Sequence, residues 1–81
     1  MTLQNAIKKL KKAGFKPHRV DTMVYARNLR CEISFILNGG NEAEAICFNV
    51  RGLNDHSDSM RDYHAGVFCK NLSQAIRIAS N

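Results

Sequence analysis

Apolar residues recur at helical intervals at both ends of the chain and alternate in between. In TLQNAIKKLKKAGFKP, Leu3, Ala6, Ile7, Leu10 and Ala13 fall on one stripe, with Lys8, Lys9, Lys11 and Lys12 on the opposite side. Thr2 suits the N-cap, Gly14 suits the left-handed position just past a helix end, and Pro17 prevents continuation. A second helix is expected over NLSQAIRIASN, where Leu72, Ala75, Ile76 and Ala79 form the stripe and Asn71 with Gln74 makes a variant capping box.

Between the helices, HRVDTMVYAR, RCEISFILN and EAICFNVR read as strands. The glycines of NGGN supply the positive φ of a tight hairpin, setting Ile33 opposite Ile46 and Cys31 opposite Phe48. A turn at RNLR sets Val24 opposite Ile33 and Val20 opposite Leu37. These registers gather Val20, Val24, Ala26, Cys31, Ile33, Phe35, Leu37, Ile46, Phe48 and Val50 on one face, and a one-residue slip in either hairpin would scatter them. Val67 and Phe68 are expected to dip into the core and can form a short fourth strand. The expected fold is α+β: a single domain with a three- or four-stranded antiparallel meander and both helices on one sheet face.

The other sheet face would then hold Arg19, Asp21, Met23, Tyr25, Arg27, Glu32, Ser34, Ile36, Ala45, Cys47, Asn49 and Arg51. An open antiparallel sheet can simply be wet on one side. Tyr and Arg are nevertheless enriched at interface hot spots, so this face is the expected partner surface or homodimer contact.

Composition narrows the picture. At 81 residues the chain closes one core and not two. No apolar run approaches the roughly 20 residues that cross a bilayer, and no apolar stretch leads to a secretory cleavage site, so no membrane contact and a cytoplasmic location are expected. Cys31, Cys47 and Cys69 are odd in number and scattered, which fits no disulfide framework. The net charge of +5 is uneven. Residues 1–30 hold eight Lys/Arg against Asp21 alone, whereas residues 31–81 hold four basic and six acidic groups. The basic end could attract nucleic acid or an acidic protein surface.

The densest chemistry lies in DHSDSMRDYH, with three Asp, two His and two Ser in ten residues. It lacks the glycine and the bidentate glutamate of a calcium loop. The cysteines have no Cys-x-x-Cys pairing for zinc, and Cys31 and Cys47 are expected on opposite faces. Catalytic triads draw on distant elements, whereas clustered Asp and Ser satisfy the backbone of irregular loops. The competing reading is an enzyme centred on His56, Asp58, Asp62 and His64; the favoured one has no catalytic residue, no metal and no cofactor.

Three resemblances bear on function. The helix–strands–helix order resembles the double-stranded-RNA-binding domain, although only Lys70 stands where that family opens its second helix with a lysine cluster. IKKLKKAGF resembles the opening of HicA-type RNA-cleaving toxins, but RVDTMVYAR lacks that family's catalytic histidine. SDSMRDYHAGVFCKNLSQAIRIA, from Ser57 to Ala79, resembles small proteins of phages and other mobile elements related to the large polyvalent protein-associated domains. That last resemblance implies a bacterial host and an anti-CRISPR-like, non-enzymatic inhibitor of a host defence protein or ribonucleoprotein complex. Lys8, Lys9, Lys11, Lys12 and Lys16 would then supply long-range attraction, and Arg19, Tyr25, Arg27 and Arg51 the specific contacts. The alternative is a nucleic-acid-binding module that uses the same residues on phosphate.

Overall fold

A computed structural model describes residues 1–53 and 66–80. The first helix, α1 (Leu3–Lys12), starts where the Thr2 hydroxyl accepts the Asn5 N–H at 3.2 Å. It ends in a Schellman motif: the Gly14 N–H donates to Lys11 O at 3.1 Å and the Phe15 N–H to Leu10 O at 2.9 Å, with Gly14 at φ 90°. The motif folds Phe15 back into the core, a burial the stripe did not anticipate, while Ala13 is the exposed C-cap rather than a stripe member.

Five strands follow, not three or four: β1 (Lys16–Val20), β2 (Met23–Arg27), β3 (Cys31–Leu37), β4 (Ala45–Gly52) and β5 (Val67–Cys69). They lie in chain order, each antiparallel to its neighbours, and α2 (Leu72–Ser80) closes the α+β fold. At the start of α2 the Asn71 side chain accepts the Gln74 N–H at 2.9 Å, and Gln74 Oε1 accepts the Lys70 N–H at 2.7 Å. That is a capping box displaced by one residue on its second bond.

The extra strand comes from HRVDTMVYAR, which is a hairpin rather than one strand. Val20 pairs with Met23 across Asp21–Thr22, and Asp21 takes φ 57°. Aspartate tolerates the left-handed region that a two-residue hairpin demands, so no glycine marks the turn. The turn also inverts the parity of everything before it. Arg19 pairs with Val24 and therefore lies on the helix side, not on the open face. Its Nε donates to Asp21 O at 2.8 Å, and its guanidinium lies 3.6 Å from Glu42. Val20, expected in the core, is 51% exposed on the open side.

The other hairpins also differ in register. Val24 faces Phe35 and Ala26 faces Ile33, where Asn28 Oδ1 closes the loop by accepting the N–H groups of Arg30 and Cys31 at 2.8 and 2.7 Å. Ile33 faces Val50 and Cys31 faces Gly52, not Ile46 and Phe48. Asn38–Gly40 forms a 3-10 turn inside a longer loop, which the Leu37–Ala45 pair closes. Slides by even numbers leave each residue on its expected face, so most of the core set survives. The exception is a bulge opposite Ser34–Ile36, where Cys47 sits at φ 59°. Beyond it Ala45 turns into the core and Ile46 turns out, reversing both expectations. In β5, Val67 and Cys69 pair with Val50 and Phe48 on the core side. Phe68, expected to dip inward, pairs with Asn49 and is 79% exposed.

One hydrophobic cluster joins Leu3, Ala6 and Leu10 of α1, Leu72, Ala75 and Ala79 of α2, and the inward residues of the sheet. Both helices therefore cover the same sheet face. The rings of Phe35 and Phe48 meet at its centre with centroids 5.3 Å apart. At the sheet edges, β1 contains Pro17, which has no N–H to offer, and β5 is three residues long. The stretch DHSDSMRDYH, with His56, Asp58, Asp62 and His64, lies outside the described residues.

Candidate functional site

Side chains of directly paired residues share a face, so the registers sort the open face into three cross-strand rows. Val20, Met23, Ile36 and Ile46 form an apolar row. His18, Tyr25, Ser34, Asn49 and Phe68 form a mixed middle row. Lys16, Arg27, Glu32 and Arg51 form an ionic row. The face thus grades from aliphatic at one end of the strands to cationic at the other.

Glu32 organises the ionic row. Its carboxylate accepts from Arg27 Nε at 2.6 Å and Arg51 Nε at 2.9 Å, one oxygen to each. Its side chain is only 4% exposed, whereas those of Arg27 and Arg51 are 61% and 46% exposed. Ion pairs this open to water contribute little stability each. Their effect is geometric: one buried anion on β3 holds two guanidinium groups upright on the flanking strands. Each such group has five N–H donors, of which Glu32 takes the Nε donor.

A concavity of about 1110 Å³ lies over this row. Lys16, His18, Tyr25, Asn28, Leu29 and Arg30 line it together with the Arg–Glu–Arg group. Leu29 stands on the β2–β3 loop at 98% exposure. The wall is cationic and aromatic with a single carboxylate, a composition suited to gripping an anionic edge beside an apolar body.

The residues expected to make contact divide between two surfaces. Lys16, Tyr25, Arg27 and Arg51 come together on the open face. Lys8, Lys9, Lys11 and Lys12 are exposed on α1, behind the sheet, and Arg19 lies on the helix side of β1. Sequence reasoning missed His18, Val20, Ile46 and Phe68 as open-face residues. The signal for the first two was Asp21, whose short side chain permits the turn; nothing local marks the bulge at Cys47.

Burial disfavours the thiolate at two of the three cysteines. Desolvation pushes the Cys31 thiol up, partly opposed by the nearby Arg30 charge, and burial alone pushes Cys69 up. Thiols shifted in that direction stay protonated and inert. All three cysteines are free, and among the described residues no three His, Cys, Asp or Glu side chains gather as a metal site. No helix among those residues is long and apolar enough to cross a membrane. Compared with protein-family models, curated proteins and solved structures, the chain finds no match.

Proposed function

We propose that the protein acts by binding, without catalysis, and that the open face of its sheet holds a protein partner. The banded face carries this reading. Val20, Met23, Ile36 and Ile46 supply a desolvable apolar strip, Tyr25 sits beside it, and Lys16, Arg27 and Arg51 form a cationic rim. Aromatic, methionine and arginine side chains around an apolar centre are what protein interfaces concentrate. The fitting partner has an apolar patch bordered by carboxylates. The resemblance of Ser57–Ala79 to mobile-element proteins supports placing that patch on a host defence complex, with the chain as an anti-CRISPR-like inhibitor.

The test is a target-cleavage assay on a panel of purified bacterial CRISPR effectors, with and without the protein. Inhibition that is lost in the Val20→Ser/Ile46→Ser double variant supports the reading, because both residues are exposed and the fold should tolerate the change. Inhibition that survives the double variant removes the open face from the interface. If no effector is inhibited, the reading fails. Light scattering tests the other occupant: a dimer dissolved by the same two substitutions would place a second copy on the face.

A further inference from the structure

The surface behind the sheet has a different character. Neither α1 nor α2 contains an acidic residue. Lys8, Lys9, Lys11 and Lys12 on α1 and Arg77 on α2 are all exposed. The acidic groups among the described residues lie elsewhere. Glu32 is held by Arg27 and Arg51, Glu42 lies near Arg19, Glu44 accepts from the Asn38 side chain at 2.8 Å, and Asp21 occupies the β1–β2 turn. Among the described residues, the outer faces of the two helices therefore carry cations and no carboxylate of their own.

The helices are also joined on their outer side. Lys9 Nζ reaches the Ser73 hydroxyl at 3.5 Å, across a shallow groove of about 360 Å³ lined by Lys9, Lys12, Ala13, Ser73 and Ile76. Arg77 lies one turn beyond Ser73 on the same flank of α2. Lys8 and Lys12 are likewise one turn apart, about 6 Å along the axis. A row of long, flexible cations at that spacing matches a regularly charged polyanion.

We infer that the helix layer binds the phosphate backbone of nucleic acid, without reading its bases. The helices present no aromatic side chain for stacking, and their outer isoleucines, Ile7, Ile76 and Ile78, are each partly buried against the core. An amphipathic helix lying on a membrane needs its apolar face free, whereas Leu3, Ala6 and Leu10 of α1 are spent on the core. What remains is charge alone, the chemistry of sequence-independent phosphate binding. This surface is separate from the open face, so the two readings stand or fall independently.

Fluorescence anisotropy with a fluorescein-labelled 20-base-pair DNA duplex and the matching single strand tests the inference. If about five cations each engage a phosphate, affinity should fall about 500-fold for the duplex and about 100-fold for the single strand between 50 and 200 mM salt. Lys9→Ala/Lys12→Ala should flatten the log–log salt slope by about two units. Both positions are exposed and alanine favours helix, so this variant should fold as the parent does. Absence of binding to both probes at 50 mM salt overturns the inference. An equal loss from Arg27→Ala overturns it too, since net charge rather than the helix layer would then be sensed. Binding of phosphatidylserine vesicles as tight as that of the duplex would also overturn it, by assigning the cations to a membrane surface.

Discussion

The two faces of this sheet are built from the same five strands and from alternate residues of the same short segments. On the helix side, Val24, Ala26, Ile33, Phe35 and Val50 are fully buried and meet other apolar atoms wherever they point. On the open side, their sequence neighbours Tyr25, Ser34 and Asn49 are half-buried, and the ends of the face diverge into an aliphatic row and an ionic row. The first face is optimised for removal of water. The second keeps apolar and charged groups apart, in bands, at positions where either could be used.

The sharpest break of this comparison is a pair of truncations on adjacent strands. Phe35→Ala should cost about 3–5 kcal/mol, because a fully buried ring leaves a cavity that close packing fills only partly. Tyr25→Ala, on the opposite face, should cost under about 1.5 kcal/mol. Urea denaturation reads both, and equal losses would mean that the open face is packed as tightly as the core. Glu32→Ala comes next, at about 1–2 kcal/mol, since it leaves two neighbouring guanidinium groups without their shared anion. The loss stays moderate because both arginines are about half exposed and can turn into water. Glu32→Gln should lose less, as it keeps an acceptor.

How legible these faces are in the sequence depends on what sets them. The helices are local: Thr2, Gly14, Asn71 and Gln74 occupy capping positions that the chain itself advertises. The sheet face is not local, because it depends on parity. The hairpin at Asp21–Thr22 carries no glycine or asparagine, and missing it exchanges Arg19 with Val20 between the two sides. The bulge at Cys47 makes the same exchange for Ala45 and Ile46. Register errors by contrast cost nothing in face assignment, since both were slides by an even number of residues. Tyr25, Arg27 and Arg51 therefore lie on the face expected of them, whereas Lys16, expected with the lysines of α1, joins them there, and His18 and Phe68 were overlooked.

Two smaller effects sharpen the picture further. The raised Cys31 thiol implies that the folded chain holds this proton more tightly than the unfolded chain. Stability should then fall as pH rises above about 8.5, where the unfolded thiol ionises first. Chemical denaturation at pH 7 and 9.5 should register the decline, and Cys31→Ala should reduce its slope although it lowers stability at both values. Its Sγ lies 3.8 Å from Ala79 O of α2, a contact the thiol makes as donor, so ionisation also opposes helix docking. Last, Cys47→Gly should stabilise by about 0.5 kcal/mol, because glycine accepts the positive φ of the bulge at the expense of added unfolded-state freedom. A loss there would indicate that the exposed thiol makes a contact worth more than the backbone relief.

The margins of the sheet bear on how so small a chain tolerates its exposed aliphatic row. Pro17, between Lys16 and His18, interrupts the donor pattern of one margin, and the other margin is three residues long among the described residues. Strand-by-strand growth into fibrils therefore finds a poor template at the Pro17 border and a short one at β5. The exposed aliphatic row lies on the flat side, where a partner must match a banded shape to adhere. Any adhesion there is decided by surface complementarity instead of by backbone pairing.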